Sequence, residues 1–293
     1  MAGTIAPRRD AVIRIPPAGA RAGAATTDVV DTGDVPMMDL NADLAEGDEF
    51  GATDLALLDH VTSASLACGF HAGSRQVMRA AAAACVERGV SIGAHVSYRD
   101  RAGFGRRTLD VAPHRLVADL VEQWETLVDE VAAVGGTVSY VKPHGALYNT
   151  LAIDPEVAAT VVRALAPRCR VLVGLPGGAQ ALPADVVGMV VVPEGFCDRG
   201  YDASGRLVPR DSSGALVDDP EEIALRARSL ALDGGLDAVD GTWVAVDVRT
   251  LCIHGDRPGA ALHARAVRQA LDRAGVEVRA FTGPNRAPVD APA

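Results

Sequence analysis

Lysine is almost missing from this chain of 293 residues: of its 28 basic residues only Lys142 is a lysine, and all the others are arginine. An amine differs from a guanidinium in geometry, hydration and ease of losing a proton, so the lone exception marks Lys142 as a position that requires an amine. The phosphate-binding pattern Gly-x-x-x-x-Gly-Lys-Ser/Thr is absent, which excludes the familiar way of cradling ATP. No Gly-x-Ser-x-Gly elbow is present to carry a serine nucleophile. Gly174–Gly178 falls short of a dinucleotide fingerprint. The five cysteines (68, 85, 169, 197 and 252) are odd in number and scattered without a C-x-x-C pair, which predicts reduced core cysteines in a cytoplasmic protein. No apolar run reaches the roughly 18 residues that a membrane helix needs, and no apolar stretch follows Arg8 and Arg9 to make a secretory signal. Net positive charge is lacking too. The formal charge of −10 argues against partners with a phosphate backbone and against anionic membrane surfaces.

What remains is an ordered alternation. Residues 1–36 are rich in Ala, Gly, Pro and Thr without apolar period and read as a disordered extension, with Met37 or Met38 the true start; residues 282–293 read as a flexible tail. Between them, residues 37–281 carry short apolar runs suited to buried parallel strands: Met38–Asp43, Ser65–His71, Val90–Val96, Val138–His144, Val171–Leu175, Met189–Glu194 and Leu251–His254. Amphipathic stretches separate most of them. Ser74–Arg88 has Ser74 as N-cap, and helices over Pro113–Val134, Pro155–Leu165, Pro220–Leu232 and Pro258–Ala274 each open on proline. About seven strands in one run without a composition break predict a single-domain α/β fold, a roughly seven-stranded parallel β/α barrel. An open doubly wound sheet is the alternative. Gly195–Asp218 is a long polar segment of the kind that covers a site.

Nearly every apolar run ends in a polar side chain. The first ends in Asn41, Asp43 and Glu46, the second in His71, the third in His95, and the fourth in Lys142 and His144. The sixth ends in Glu194, followed by Asp198 and Arg199, and the seventh in His254 and Asp256. The C-terminal strand ends of a parallel barrel converge on one mouth, where active sites sit. His114 and His263 lie inside helical stretches and read as surface residues. An Asp with two His suffices for a divalent metal that activates water, with Asp43, His71 and His144 the candidate ligands. Asp, Glu, Lys and His without metal suffice for acid–base hydrolysis, and both readings stay open.

The motifs then become recognisable. Asp39-Leu40-Asn41-Ala42-Asp43, Ala67-Cys68-Gly69-Phe70-His71-Ala72-Gly73, Gly93-Ala94-His95-Val96-Ser97-Tyr98, Gly103-Phe104-Gly105-Arg106-Arg107, Val141-Lys142-Pro143-His144-Gly145-Ala146-Leu147-Tyr148-Asn149, Asp198-Arg199, Leu207-Val208-Pro209-Arg210 and Cys252-Ile253-His254-Gly255-Asp256 occur in this order. Together they resemble the LamB/YcsF lactam-utilisation family over about residues 38–281. Two departures concern loop shape: Ala45 stands where the family usually has Gly, and Val96 where it more often has Pro; Gly47–Leu55 also looks shortened.

The resemblance implies a barrel related to the glycoside hydrolase and polysaccharide deacetylase barrels. It implies ATP-coupled opening of 5-oxo-L-proline to L-glutamate, shared with separate B and C subunits, with ATP the cofactor used with those partners; a divalent metal is the further candidate that the Asp and His residues themselves allow. On that reading Asp43 or Glu46 is the base, Lys142 and His144 stabilise developing negative charge, and His95 joins them in the chemistry. Arg199 or Arg210 holds a carboxylate or phosphate. Asn41, His71, Arg107, Glu194, Asp198, His254 and Asp256 complete the expected substrate contacts. A stand-alone metal-dependent amidohydrolase or carbohydrate deacetylase is the rival enzyme, and a lactam-binding subunit without catalysis is the rival non-enzyme.

Overall fold

A computed structural model describes residues 36–283. The expected extension and tail lie outside them, apart from Pro36 and residues 282–283. In chain order the strands are β1 (Met37–Leu44), β2 (Ser63–Ala67), β3 (Ser91–Val96), β4 (Val138–Pro143), β5 (Val171–Gly174), β6 (Val190–Phe196), β7 (Gly235–Asp237), β8 (Trp243–Ala245), β9 (Thr250–His254) and β10 (Glu277–Val278). The helices are α1 (Ala52–Leu58), α2 (Arg75–Arg88), α3 (Pro113–Ala132), α4 (Gly145–Ile153), α5 (Pro155–Leu165), α6 (Ala181–Val186), α7 (Pro220–Leu232) and α8 (Ala260–Arg273).

The order β1-β2-β3-β4-β5-β6-β9 returns to β1, with every neighbour parallel, so seven strands close a barrel. Pairing of β9 with β1, from Asp39 against Thr250 to Asp43 against His254, removes the open-sheet alternative. Short β10 extends the sheet at the start of β1, and β7 and β8 form a separate antiparallel hairpin. Helix caps follow the sequence signals. Ser74 accepts from Val77 N at 3.3 Å, Asp154 from Glu156 N at 2.9 Å, and Asp219 from Glu221 N at 2.8 Å. Pro258 lies before α8 rather than in it, because Gly259 with φ +80° makes the turn into that helix.

Alternation along β1 sends Met38, Leu40, Ala42 and Leu44 into the helix-facing core and leaves Asp39, Asn41 and Asp43 for the barrel interior. The interior is therefore polar on one side, where most parallel barrels stack branched aliphatics. Asp39 accepts from Ser63 Oγ at 2.6 Å, from Thr62 Oγ1 at 2.8 Å and from the Thr250 hydroxyl, tying β1 to β2 and β9. An apolar plug of Tyr140, Val171, Val173, Val192 and Phe281 fills the other side. Phe281 meets the Tyr140 ring edge-on at 5.0 Å, and Thr282, assigned to the tail by sequence, bonds the Ser91 hydroxyl at 2.5 Å. Gly93 makes room for that ring: a Cβ there would lie 2.1 Å from Tyr140 Cε2.

Burial lifts the Asp39 carboxyl to about 6, against its three hydroxyl donors. A folded-state value above the unfolded one means that the native state gains stability as pH falls, fully below about pH 4, and loses it as pH rises through 6. Wild type should therefore gain roughly 2–3 kcal/mol on Asp39→Asn between pH 7 and pH 4. Urea unfolding across that range measures it, and a difference that does not move with pH would show that Asp39 stays ionised.

Candidate functional site at the barrel mouth

The C-terminal strand ends bring the polar residues together as the alternation predicts. Register places Asp43 beside His254 and His95 beside Lys142 on paired strands. Beyond β1 the chain must turn sharply to aim Glu46 back over the mouth. Ala45 makes that turn in the left-handed region, φ +62°, while 1 % exposed. A side chain there costs about 1–2 kcal/mol, so Ala45→Gly should stabilise the protein by about 1 kcal/mol. A lower melting temperature in that variant would contradict the strain.

Lys142 is the hub. Its ammonium is 2.8 Å from Asp43 Oδ1, 2.7 Å from Glu194 Oε1, 3.1 Å from Asn41 Oδ1 and 3.1 Å from Cys252 Sγ, with the residue 2 % exposed. Burial opposes its charge, but the Asp43 carboxylate beside it, with Cys252 and Glu194, holds the amine well above its usual value. Asn41 bridges the layer below, donating to Glu194 Oε1 at 3.0 Å and to Thr250 Oγ1 at 2.7 Å. Asp43 is likewise pushed up by burial, but His95 and Lys142 outweigh that and hold it well below the ordinary carboxylate range.

Three imidazoles cluster next to this pair. His71 and His144 stack face to face with centroids 3.9 Å apart, and His95 stands edge-on to both. His95 Nε2 is 3.4 Å from Asp43 Oδ2 and 3.0 Å from His144 Nδ1. Glu46 Oε1 lies 3.2 Å from His71 Nε2 and 3.3 Å from His144 Nδ1. Burial, then neighbouring imidazoles, depresses His144 to about 3 and His71 well below its usual value, so both rings are neutral at physiological pH. Burial and then the Asp43 charge raise Glu46 well above the carboxylate range. Gly105, φ +64°, packs directly on the rings: a Cβ would lie 2.9 Å from both His144 Cδ2 and His71 Cβ.

Above the cluster opens a cavity of about 540 Å³ whose floor includes Asp43, Glu46, His95, Lys142 and His144. Tyr148, Phe196 and His254 form one side, with Phe196 stacked on His254 at 5.5 Å. Asp198 orients His254 through Nδ1 at 2.8 Å. Burial works against the Asp198 charge, but His254 and Arg257 bring it down to about 2. The segment expected to cover the site supplies Leu207–Asp211 as a wall. It is braced from within by Arg199, which donates to Ala215 O at 3.0 Å and Val208 O at 2.7 Å. Arg106, Arg199 and Arg210 make the rim cationic, with Arg106 bonded to Asp256 at 2.5 Å.

Of the residues expected at the site, Asp43, Glu46, His95, Lys142, His144, Arg199, Arg210, His254 and Asp256 line the cavity. Asn41, His71, Glu194 and Asp198 are buried just behind it, each bonded to a lining residue or its partner. Arg107 is not brought in. It points outward onto Asp100, while its neighbour Arg106 faces the cavity, because Phe104 and Gly105 both take positive φ and reverse the chain there. Of the expected metal set, His71 and His144 sit together, but Asp43 is engaged by Lys142 on the other flank of His95. His263 corrects another expectation: it is buried and donates from Nε2 to Asp218 O at 3.1 Å, tying α8 to the wall segment. All five cysteines are free and buried, and Cys252 sits against the Lys142 amine. Tyr148, for which the sequence suggests no role, lies one helical turn after His144, with its hydroxyl buried in the cavity wall.

Fold and site together define a closed parallel β/α barrel whose mouth holds a buried Lys–carboxylate pair beside an imidazole cluster. A LamB/YcsF family match spans residues 38–286, and the chain belongs to the LamB/YcsF family. It is 51% identical over 251 residues to the A subunit of 5-oxoprolinase from Streptomyces griseus, covering 84% of this chain and 100% of that protein. The Mycobacterium avium protein of the same name is 49% identical, over 83% of this chain and 98% of its own length. Among solved structures, the lactam utilization protein of Thermus thermophilus superposes with a TM-score of 0.79 at 42% identity, over 84% of this chain and 100% of that one.

Proposed function

We propose that this chain is the lactam-opening subunit of a cytoplasmic, ATP-dependent 5-oxoprolinase, working with separate B and C subunits. The observation that carries the reading is the Lys142 ammonium held between Asp43 and Glu194 at the floor of an arginine-rimmed cavity. The names of the relatives supply the substrate class.

A five-membered lactam is an unstrained, resonance-stabilised amide and hydrolyses slowly. Transfer of a phosphoryl group to its amide oxygen turns that oxygen into a leaving group and makes the ring carbon electrophilic. ATP enters through the partner subunits, since this chain carries no phosphate loop. The cavity exceeds a single five-membered ring, which leaves room for the phosphorylated form. Water attacks the ring carbon, and the Oδ2 face of Asp43, free of Lys142, takes its proton. The ring C–N bond then breaks as the nitrogen takes up a proton, leaving an acyl phosphate of the opened chain, from which a second water releases phosphate and glutamate. Lys142 offsets the negative charge that develops on oxygen at the attacked carbon, and later on the released phosphate. The rim arginines hold the ring carboxylate and the phosphate.

The test is glutamate release from 5-oxo-L-proline plus ATP. Release is expected from this chain with its B and C partners and not from the chain alone. Lactam-dependent ATP hydrolysis by the pure isolated chain would overturn the division of labour. Glutamate release without ATP would point to a stand-alone amidohydrolase. Full activity of the complex carrying Asp43→Asn would make this a binding subunit.

A further inference from the structure

We infer that Glu46, His71, His95 and His144 form a binding site for one divalent metal ion of the zinc class. The inference concerns the same cavity as the proposed reaction but rests on hydrogen-bond geometry alone, not on the lactam.

Each imidazole has one nitrogen committed to a fixed acceptor. His95 Nδ1 is 3.0 Å from the Lys142 carbonyl and His144 Nε2 is 2.9 Å from the Phe104 carbonyl; a carbonyl only accepts, so both nitrogens carry hydrogen. The Ser97 hydroxyl donates to Tyr98 O at 2.9 Å, so it accepts from His71 Nδ1 at 3.0 Å. The nitrogens left uncommitted by these bonds are His71 Nε2, His95 Nε2 and His144 Nδ1. They converge, with Glu46 Oε1, to within 4.8 Å of one another. His95 Nε2 and His144 Nδ1 face each other at 3.0 Å while the opposite nitrogen of each ring is already bonded to a carbonyl, a contact that a cation drawn between them would bridge. Among the described residues Glu46 pairs with three imidazoles and with no lysine or arginine.

The spacing suits an ion. Four of the donor–donor distances are 3.0, 3.2, 3.3 and 3.8 Å. Bonds of about 2.1 Å require about 3.0 Å between neighbouring donors in an octahedron and about 3.4 Å in a tetrahedron. Because His71 and His144 are stacked, loading the ion has to tilt one ring towards it. Donating the far nitrogen to a carbonyl or hydroxyl is the usual way that a protein fixes a metal-binding histidine. Three imidazoles and one carboxylate favour a borderline ion over magnesium or calcium. The neighbouring trio Asp43, Cys252 and His254 does not compete, since the Lys142 ammonium already sits against Asp43 and Cys252.

The test uses the full chain stripped with a chelator, titrated with zinc chloride by calorimetry and with cobalt(II) chloride by visible absorption. One ion per chain is expected, with cobalt bands of nitrogen-rich coordination. Glu46→Gln and His71→Ala should each weaken binding by about 100-fold or more. Ser97→Ala, which only releases His71, should weaken it roughly 10–100-fold. Cys252→Ser should leave it unchanged. Flat titrations would overturn the site in favour of a proton shared between His95 and His144. Unaltered affinity in folded Glu46→Gln and His71→Ala, checked by circular dichroism, would overturn it too. None of these readouts needs lactam or ATP, so failure here leaves the lactam reading standing, and a silent turnover assay leaves the metal site standing.

Discussion

Lys142→Arg is expected to lose about 100-fold or more in turnover of the assembled complex, the usual scale for a group that stabilises developing charge. The positive charge survives in the variant; the shape does not. The ammonium sits among four acceptors within 3.1 Å in a space 2 % exposed, and three of them come from β1 and β9 across the barrel. A planar guanidinium cannot meet a compact cage of this kind and also leave Asp43 Oδ2 facing the cavity. Overpacking should cost a further 1–3 kcal/mol or so, so turnover has to be normalised to folded protein by circular dichroism. Near-parental turnover per folded molecule would remove Lys142 from the chemistry and leave it a structural cation.

The same residue shows why parts of this molecule are legible in its sequence. Buried parallel strands are continuous apolar runs, so the seven that close the barrel stand out, and the polar residues that end six of them map to the mouth or just behind it. A chain that otherwise places only arginine makes its one lysine conspicuous. Grouping within the mouth is not legible in this way. Pairing of His95 with His144, and of Asp43 with Lys142, depends on barrel curvature and on backbone carbonyls at Phe104 and Lys142 that no side-chain pattern encodes. Arg106 and Arg107 are chemically identical, and only the positive φ of Phe104 and Gly105 decides which one faces in. The burial of His263 does have a sequence signal: Ala260, His263, Ala264, Val267 and Leu271 form one buried stripe at helical spacing, and that period outweighs the polarity of the imidazole. Short elements such as α1, α6 and the β7–β8 hairpin carry too few residues for a period to emerge.

Lys142→Met is expected to give the largest stability loss, about 3–5 kcal/mol, because it strands two buried carboxylates. Asp43 and Glu194 both bond the ammonium, with side chains 8 % and 0 % exposed, so water cannot replace the lost partner. Methionine fills similar volume, which confines the effect to charge rather than cavity. Glu194→Gln alone should cost less, since Asp43 remains to balance the lysine and the amide oxygen can still accept from Asn41 Nδ2. If the hub is electrostatic, combining Lys142→Met with Glu194→Gln should be less damaging than the two single losses added, by about 1 kcal/mol or more, because the second change removes a charge that the first had stranded. Urea unfolding of wild type, both singles and the double closes that cycle. Strict additivity would mean that Lys142 and Glu194 stabilise the barrel independently, and the ammonium would then be a spacer between β4 and β9 rather than the counter-ion of the floor.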